Sequence, residues 1–470
     1  MSAATGNGQN SALSRPANWI ALAAAAAGLL LLFWPLSEGT QSLPIRAGGL
    51  IIATVGLWAT HAIPEHITSL GFMVLAVILG IAAPGVAFSG FAGGAVWLLF
   101  GGIIIGLAVT DSGLGQRIAR TVLRGLTRSY TRAVWGLMAA CLLLAFLMPA
   151  SIGRIVILMP IALALADHMG FAPGSRGRTG FALTIGCGSF LPTFAILPAN
   201  LPNVVLFGAA ESIYGVVPTY AEYLLWHLPV MGMLRAVVLV LIILAMFPDE
   251  ARSPESESAP ARMSKQQRNL LIVLCLTLGL WATDFIHHVS PAWVALLAAI
   301  VILVPAFGLA PPTALADKTN LRPFFFVAGV LGVGALVADS GLGAEIAAFL
   351  GRWVTFDPAR PFLNYLSLIG VSMVFGVAAT VPGAPTFLVP LAQDLSTASG
   401  MPLMVVLMTQ IVGLSALLLP YQSPPLVVAI GLGGVRIWDA VRVILASTAV
   451  TLTVLAPLNF LWWRLLGLVD

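Results

Sequence analysis

Val109-Thr-Asp-Ser-Gly-Leu-Gly115 recurs 228 residues downstream as Val337-Ala-Asp-Ser-Gly-Leu-Gly343. Each copy closes an apolar stretch rich in glycine, Phe100-Gly-Gly-Ile-Ile-Ile-Gly106 in the first case and Val327-Ala-Gly-Val-Leu-Gly-Val-Gly334 in the second. Two more pairs follow in the same order. Met159-Pro-Ile-Ala162 parallels Val389-Pro-Leu-Ala392 at an offset of 230, and Leu197-Pro-Ala-Asn-Leu-Pro202 parallels Leu419-Pro-Tyr-Gln-Ser-Pro424 at 222. One matched pentapeptide in so apolar a chain means little. Three ordered matches at nearly one offset mark two copies of one unit.

The solvent of those copies follows from composition. Of 470 residues, 59% are hydrophobic and 9% charged, against about 25% charged in a soluble domain. So few charges cannot cover a water-facing surface, so the surface faces lipid. The apolar stretches are long, which suits helices; barrel strands would alternate over segments of about ten residues. The net charge of +4 comes mostly from arginines dispersed between apolar runs. That pattern sets topology and is no nucleic-acid signal. Cys141, Cys187 and Cys275 lie in apolar segments without framework or zinc spacing. Residues 1–18 are polar and nearly uncharged, read as a short disordered tail without a cleavable signal.

A crossing needs about 20 apolar residues. Spans are expected near 18–36, 45–63, 67–83, 95–111, 180–208, 228–248, 269–286, 291–309, 324–340, 403–433 and 440–464. Two broken apolar segments, 133–167 and 362–397, complete the pattern as re-entrant hairpins. The expected fold is an all-α polytopic membrane protein of about 11 transmembrane helices plus two hairpins. Its parts are a tail and first span (1–44), repeat 1 (45–248), a polar cytoplasmic linker (249–268) and repeat 2 (269–470). Each repeat holds five crossings, an odd number, so the second copy sits inverted. Cation placement agrees: with a cytoplasmic N-terminus, 16 of the 22 Lys and Arg residues fall inside. Arg46, Arg352, Arg360 and Arg464 fall outside, and Arg154 and Arg235 at membrane depth. A bacterial inner membrane is the expected location.

Inverted repeats with interrupted helices are a recurrent build for secondary transporters, whose site lies where unwound backbone and half-helix ends face the substrate. Four interruptions stand out. The hairpins carry Met148-Pro-Ala-Ser-Ile-Gly-Arg154 and Thr380-Val-Pro-Gly-Ala-Pro-Thr386. The span 180–208 carries Pro198, Asn200, Pro202 and Asn203, and its counterpart Pro420, Gln422, Ser423, Pro424 and Pro425. Proline removes a backbone donor and clashes with the preceding turn. Non-helical backbone at membrane depth is tolerated only inside protein or around a water-filled cavity, where its dipoles can hold an ion.

The order of spans, the two hairpins and the proline-rich breaks resemble the divalent anion/sodium symporter family, INDY-like carriers of di- and tricarboxylates within the ion transporter superfamily. The resemblance covers about residues 45–464. Its best local matches are Leu201-Pro-Asn-Val-Val-Leu-Phe-Gly208 and Ser423-Pro-Pro-Leu-Val-Val428, which look like that family's Thr-Pro-Pro-Asn segments. The resemblance implies a homodimer, a scaffold with a moving transport domain (an elevator), and sodium and carboxylate or sulfate held at hairpin tips bearing Ser-Asn-Thr. It places substrate or ion contacts at Ala150, Ser151, Ile152, Arg154, Asn200, Pro202, Asn203, Thr380, Val381, Pro382, Thr386, Gln422, Ser423 and Pro424. A sodium ion would sit near Ser151, Asn203 and Thr380. This chain departs from the pattern: Ala150-Ser151-Ile152 and Thr380-Val381-Pro382 stand at the Ser-Asn-Thr positions, and Leu426 replaces an asparagine. It is a divergent member on this reading, with sodium or a proton as coupling ion and no cofactor.

A charge at a helix centre costs roughly 2.5–3.5 kcal/mol on insertion scales, so Arg154 needs a role and a partner. Either its guanidinium supplies the fixed positive charge beside an anionic substrate, or it snorkels or pairs with a carboxylate such as Asp167. Arg235 is read as a snorkeller. Arg117, Arg120, Arg124 and Arg128 form a basic stripe beside Ile118, Val122 and Leu126, a helix on the cytoplasmic face. Asp111 and Asp339 are read as turn residues, and His61, His66, His168, His227, His287 and His288 as residues of the membrane faces. No ATP-binding loop exists, and no catalytic constellation points to an enzyme. An anion carrier driven by a gradient is the first functional expectation. A cation/proton antiporter of the same superfamily is the alternative.

Overall fold

The computed structural model describes residues 16–32, 42–60, 62–124, 129–250 and 262–469. The tail 1–15, His61, Leu126, Arg128 and the linker stretch 251–261 lie outside the described residues. Among those described, every regular element is helical.

The copies are visible element by element. Repeat 1 runs α2 (Ser42–Thr60), α3 (Glu65–Ile78), α4 (Gly94–Asp111), α5 (Leu114–Leu123), α6 (Tyr130–Leu147), α7 (Ser151–His168), α8 (Arg176–Gly188), α9 (Leu201–Tyr214), α10 (Tyr220–His227) and α11 (Arg235–Met246), after a leading α1 (Pro16–Leu32). Repeat 2 answers with α12 (Lys265–Ala282), α13 (Pro291–Leu303), α14 (Arg322–Asp339), α15 (Leu342–Leu350), α16 (Pro361–Gly383), α17 (Ala392–Ser399), α18 (Leu403–Ser415), α19 (Pro424–Gly433), α20 (Ile437–Val450) and α21 (Ala456–Leu465). Even irregularities recur: π-helical turns at Leu228–Leu234 and Thr451–Leu455 join α10 to α11 and α20 to α21.

The motif that opened the reading is a left-handed glycine hinge between helices. Helix α4 ends at Asp111, Gly113 takes φ 70°, and α5 begins at Leu114; α14 ends at Asp339, Gly341 takes φ 78°, and α15 begins at Leu342. Positive φ is the conformation glycine adopts without strain. Ser112 Oγ accepts from Leu114 N at 3.3 Å and Ser340 Oγ from Leu342 N at 3.4 Å, the same local bond twice. Asp111 does more than turn the chain: its carboxylate pairs with Lys318 of repeat 2 at 2.6 Å.

The copies interlock by exchange. Helix α13 of repeat 2 packs along α4 of repeat 1, and α3 of repeat 1 along α14 of repeat 2. Both crossings are close because glycine removes the side chain at the contact. A Cβ on Gly101 would lie 2.6 Å from the carbonyl carbon of Ala295, and one on Gly329 would lie 2.4 Å from Ser69 Cβ. Beside them, Trp58 Nε1 donates to Glu65 O at 3.2 Å and Trp281 Nε1 to Pro291 O at 3.0 Å, closing equivalent turns.

By length and composition, eight helices can cross a membrane, or nine counting the pair α17–α18, bent by 109°. The sequence reading expected eleven crossings. The difference has a physical source: two of the expected spans are split into helices too short to cross alone, α8 with α9 and α18 with α19. Both arms of the first expected hairpin, α6 and α7, are long enough to cross, as is α16 of the second. His227 departs from its expected place at a membrane face. It is fully buried, its ring 4.7 Å from that of Tyr223 and 5.6 Å from that of Trp463.

The exchange crossings yield a matched test. Gly101→Ala and Gly329→Ala should each destabilise the detergent-solubilised protein by roughly 1–3 kcal/mol, as overpacking does. Gly71→Ala, where a Cβ meets nothing within 4 Å, should leave the thermal midpoint unchanged or raise it.

Candidate functional site

Both proline-rich spans are broken, and by the same device. Helix α8 stops at Gly188, residues 189–200 run through two 3-10 turns, and α9 restarts at Leu201 with Pro202 in its first turn. Helix α18 stops at Ser415, and α19 restarts at Pro424 after the turn Pro420–Gln422. The breaks expose carbonyls and amides that helical pairing would otherwise have satisfied. Asparagine and glutamine side chains close part of each gap. Asn200 Nδ2 donates to Phe190 O at 3.0 Å, and Asn203 Nδ2 to Phe194 O at 2.9 Å and Ile196 O at 3.2 Å. In the second break, Gln422 Oε1 accepts from Leu418 N and Leu419 N, both at 2.8 Å.

The hairpin tip of repeat 1 joins its break directly. Met148-Pro-Ala150 interrupts the chain between α6 and α7, and Ser151 opens α7. Ser151 Oγ lies 2.5 Å from Asn200 Oδ1 and 3.3 Å from Ala199 O. Arg154, one turn on, is fully buried. Its Nη1 donates to Met148 O at 2.5 Å and Ala199 O at 3.1 Å. Its Nη2 reaches Ser189 O at 2.7 Å, Thr193 Oγ1 at 3.1 Å, Ala199 O at 3.1 Å and Ser151 Oγ at 3.2 Å. Every one of these oxygens is uncharged. One guanidinium therefore ties the hairpin tip, the end of α8 and the turn before α9 into one unit.

That geometry corrects the carboxylate and snorkelling readings of Arg154. Asp167 lies 13 residues further along α7, about 20 Å at 1.5 Å per residue, and pairs with Arg178 at the surface. Arg235 is likewise no snorkeller. It is fully buried, and its Nη1 and Nη2 bind Ser415 Oγ and Ser415 O, both at 2.7 Å. Ile152, 43% exposed, faces outward. It stands about 100° around α7 from Ser151, whereas Arg154 at i+3 shares the serine's face.

The repeat 2 half of the site is held differently. At Thr380, φ 59° and ψ 162° kink α16. That conformation is nearly reserved for glycine and costs a threonine on the order of 1–3 kcal/mol, strain that clusters at functional sites. Val381, Pro382 and Thr386 are buried beyond the kink, Ala150 and Pro424 partly so, and Pro202 fully. A Cβ on Gly376 would lie 3.6 Å from Gln422 Nε2 and 3.9 Å from Val381, so this arm touches the second break. Tyr421 Oη donates to Val377 O at 2.9 Å across the same contact. Oγ1 of Thr386, Oε1 of Gln410, Oγ of Ser423 and Oδ1 of Asn203 are buried without a hydrogen-bond partner. Such orphans are costly unless something polar meets them.

The two broken spans also pack on each other. Helix α19 lies against α7 and α8, and α9 against α16 and α18. A Cβ on Gly186 would come within 2.8 Å of Ala429 Cβ, and one on Gly433 within 2.7 Å of Ala182 Cβ. A cavity of about 350 Å³ opens elsewhere, between α4, α9 and α13, where Glu211 Oε2 accepts from Gly94 N at 3.2 Å. No cluster of metal-ligating side chains occurs among the described residues.

Sequence reading overlooked Ser189, Thr193, Gln410 and Ser415. A signal was present: Ser189 and Ser415 stand 226 residues apart, inside the repeat's own range of offsets.

Comparison with known proteins agrees with this architecture. The profile of the sodium:sulfate symporter transmembrane region matches residues 16–469. A sodium-dependent dicarboxylate transporter of Staphylococcus saprophyticus is 23% identical over 87% of this chain and 83% of its own. An L-tartrate/succinate antiporter of Escherichia coli K12 is 21% identical over 88% and 86%. Among solved structures, the YdaH transporter of Alcanivorax borkumensis aligns with a TM-score of 0.55 at 17% identity, covering 96% of this chain and 98% of that one. The likeness to YdaH concerns the fold alone.

Arg154 sets a stability expectation. Arg154→Ala leaves several buried carbonyls unpaired and should cost roughly 2–4 kcal/mol, read as a lowered thermal midpoint in detergent. Arg154→Lys, with three donors instead of a planar fork, should fall between the two. An unchanged midpoint for Arg154→Ala would contradict the tie.

Proposed function

This chain belongs to the sodium:sulfate symporter family, a family of secondary transporters, and from that premise we propose that it carries a small, multiply charged anion across the membrane. A dicarboxylate or sulfate is the substrate class, supported by the printed activities of the relatives. The observation that carries the reading is the meeting of a hairpin tip and a helix break at Ser151, Asn200 and Arg154, beside a second broken span packed against the first. Half-helix ends, unpaired hydroxyls and amides, and buried positive charge are what a desolvated oxyanion requires.

Two inverted copies supply the two alternating faces of such a carrier. Movement of the hairpins and broken spans as a body against α2–α4 and α12–α14 would expose the site to each side in turn, the elevator arrangement. A homodimer, a bacterial inner membrane and a cytoplasmic N-terminus complete the proposal. The cation/proton antiporter alternative finds less support, because the broken segments themselves carry no carboxylate. Glu211, the acidic residue of α9, is engaged in capping α4.

Proteoliposomes containing the purified protein should take up at least one of labelled succinate, citrate and sulfate in a saturable manner. Ser151→Leu, which fills the junction with an apolar side chain, should abolish that uptake while the protein remains folded by thermal-shift assay. Sodium/proton exchange without uptake of any of the three anions would overturn the proposal in favour of the antiporter.

A further inference from the structure

The two fully buried arginines occupy matched places. Arg154 Nη2 binds the carbonyl of Ser189, at the end of the first half of one broken span; Arg235 Nη2 binds the carbonyl of Ser415, at the end of the first half of the other. Both bonds are 2.7 Å long. The arginines are not themselves related by the repeat, since positions 384 and 457, the counterparts at offsets of 230 and 222, hold Ala384 and Pro457. Both come from repeat 1, one from α7 and one from the first turn of α11. Two unrelated positions thus deliver the same group to two related carbonyls.

The chemistry of those carbonyls explains the convergence. A helix ending inside the membrane leaves its last carbonyls unpaired and carries partial negative charge there. Uncharged carbonyl and hydroxyl oxygens converging on one point make a site for a hard monovalent cation. Around Arg154 the set is Met148 O, Ser189 O, Ala199 O, Ser151 Oγ and Thr193 Oγ1, and the guanidinium stands where such a cation would be held. Among the described residues, no carboxylate pairs with either arginine. Arginine does not lose its proton under physiological conditions, so both charges are permanent.

We propose that Arg154 and Arg235 are tethered cations that replace mobile coupling cations at both broken spans, and that the protein is consequently an obligatory anion exchanger independent of sodium. The inference rests on the anion-carrier reading above. In a carrier coupled to mobile cations, the empty site sheds its positive charge and can cross the bilayer without substrate. Here the empty site keeps two uncompensated positive charges, which are costly to move through a low-dielectric medium. A bound dianion cancels them. The loaded form therefore reorients readily and the empty form does not, so an anion entering on one side requires an anion leaving on the other.

The test compares proteoliposomes preloaded with unlabelled succinate or sulfate with empty ones, in sodium and in choline media. Labelled anion should enter preloaded vesicles at equal rates in both media, and enter empty vesicles slower by about tenfold or more. Uptake into empty vesicles driven by an inward sodium gradient would overturn the exchanger while sparing the anion carrier. No anion uptake under any condition would overturn both. Arg154→Ala adds an independent readout: exchange should fall and be restored by millimolar guanidinium ion, which can reoccupy the oxygen cage. Where that variant does not fold, the comparison of loaded with empty vesicles on the unaltered protein decides alone.

Discussion

A backbone that stops being helical inside a bilayer must find its hydrogen-bond partners in the protein itself, because lipid offers none. In this chain that constraint is met most economically at Arg154. One planar side chain supplies donors to three carbonyls and two hydroxyls drawn from α7, the end of α8 and the turn before α9. Burying a guanidinium without a counter-charge is expensive, yet leaving those carbonyls unpaired in the same medium would be expensive too. Each cost offsets the other, and the result is a rigid, positively charged junction at the point where the chain can present backbone to a ligand.

Duplication supplies the frame around that junction. Two copies exchange helices across glycine-mediated crossings, α13 onto α4 and α3 onto α14. Paired hinges at Gly113 and Gly341 turn each copy in the same way. Within the shared frame the copies have diverged. Repeat 1 contributes both buried arginines and a fully bonded hairpin tip. Repeat 2 contributes the strained Thr380 and a set of buried oxygens without partners. The asymmetry gives one side of the site fixed charge and the other side adaptable polar groups.

Much of this was legible in the sequence. The near-copies at 109–115 and 337–343 announced the duplication, and prolines at 198, 202, 420 and 424 announced the broken spans. The cost of a mid-helix charge singled out Arg154. What the sequence could not supply was reach. Asp167 looked like a partner for Arg154 because both lie on one helix, but 13 residues of α-helix separate them by several turns. Arg235 looked like a snorkeller because its depth was counted along the chain; in three dimensions its head turns inward to Ser415. His227 is apolar-packed for a similar reason, since α21 brings Trp463 over it. The number of crossings was misjudged where a span is broken, because hydropathy registers the apolar content of a segment and not its continuity.

The central claim is that two non-helical breaks, each anchored by a buried arginine, face a common anion site. A density map of the protein in lipid nanodiscs with a heavy oxyanion such as selenate would test it most directly. The account predicts breaks at 189–200 and 416–423, with anomalous or difference density for the anion between them, near Asn200, Asn203 and Ser423. Continuous helices through those stretches, or the anion bound far from both, would contradict it.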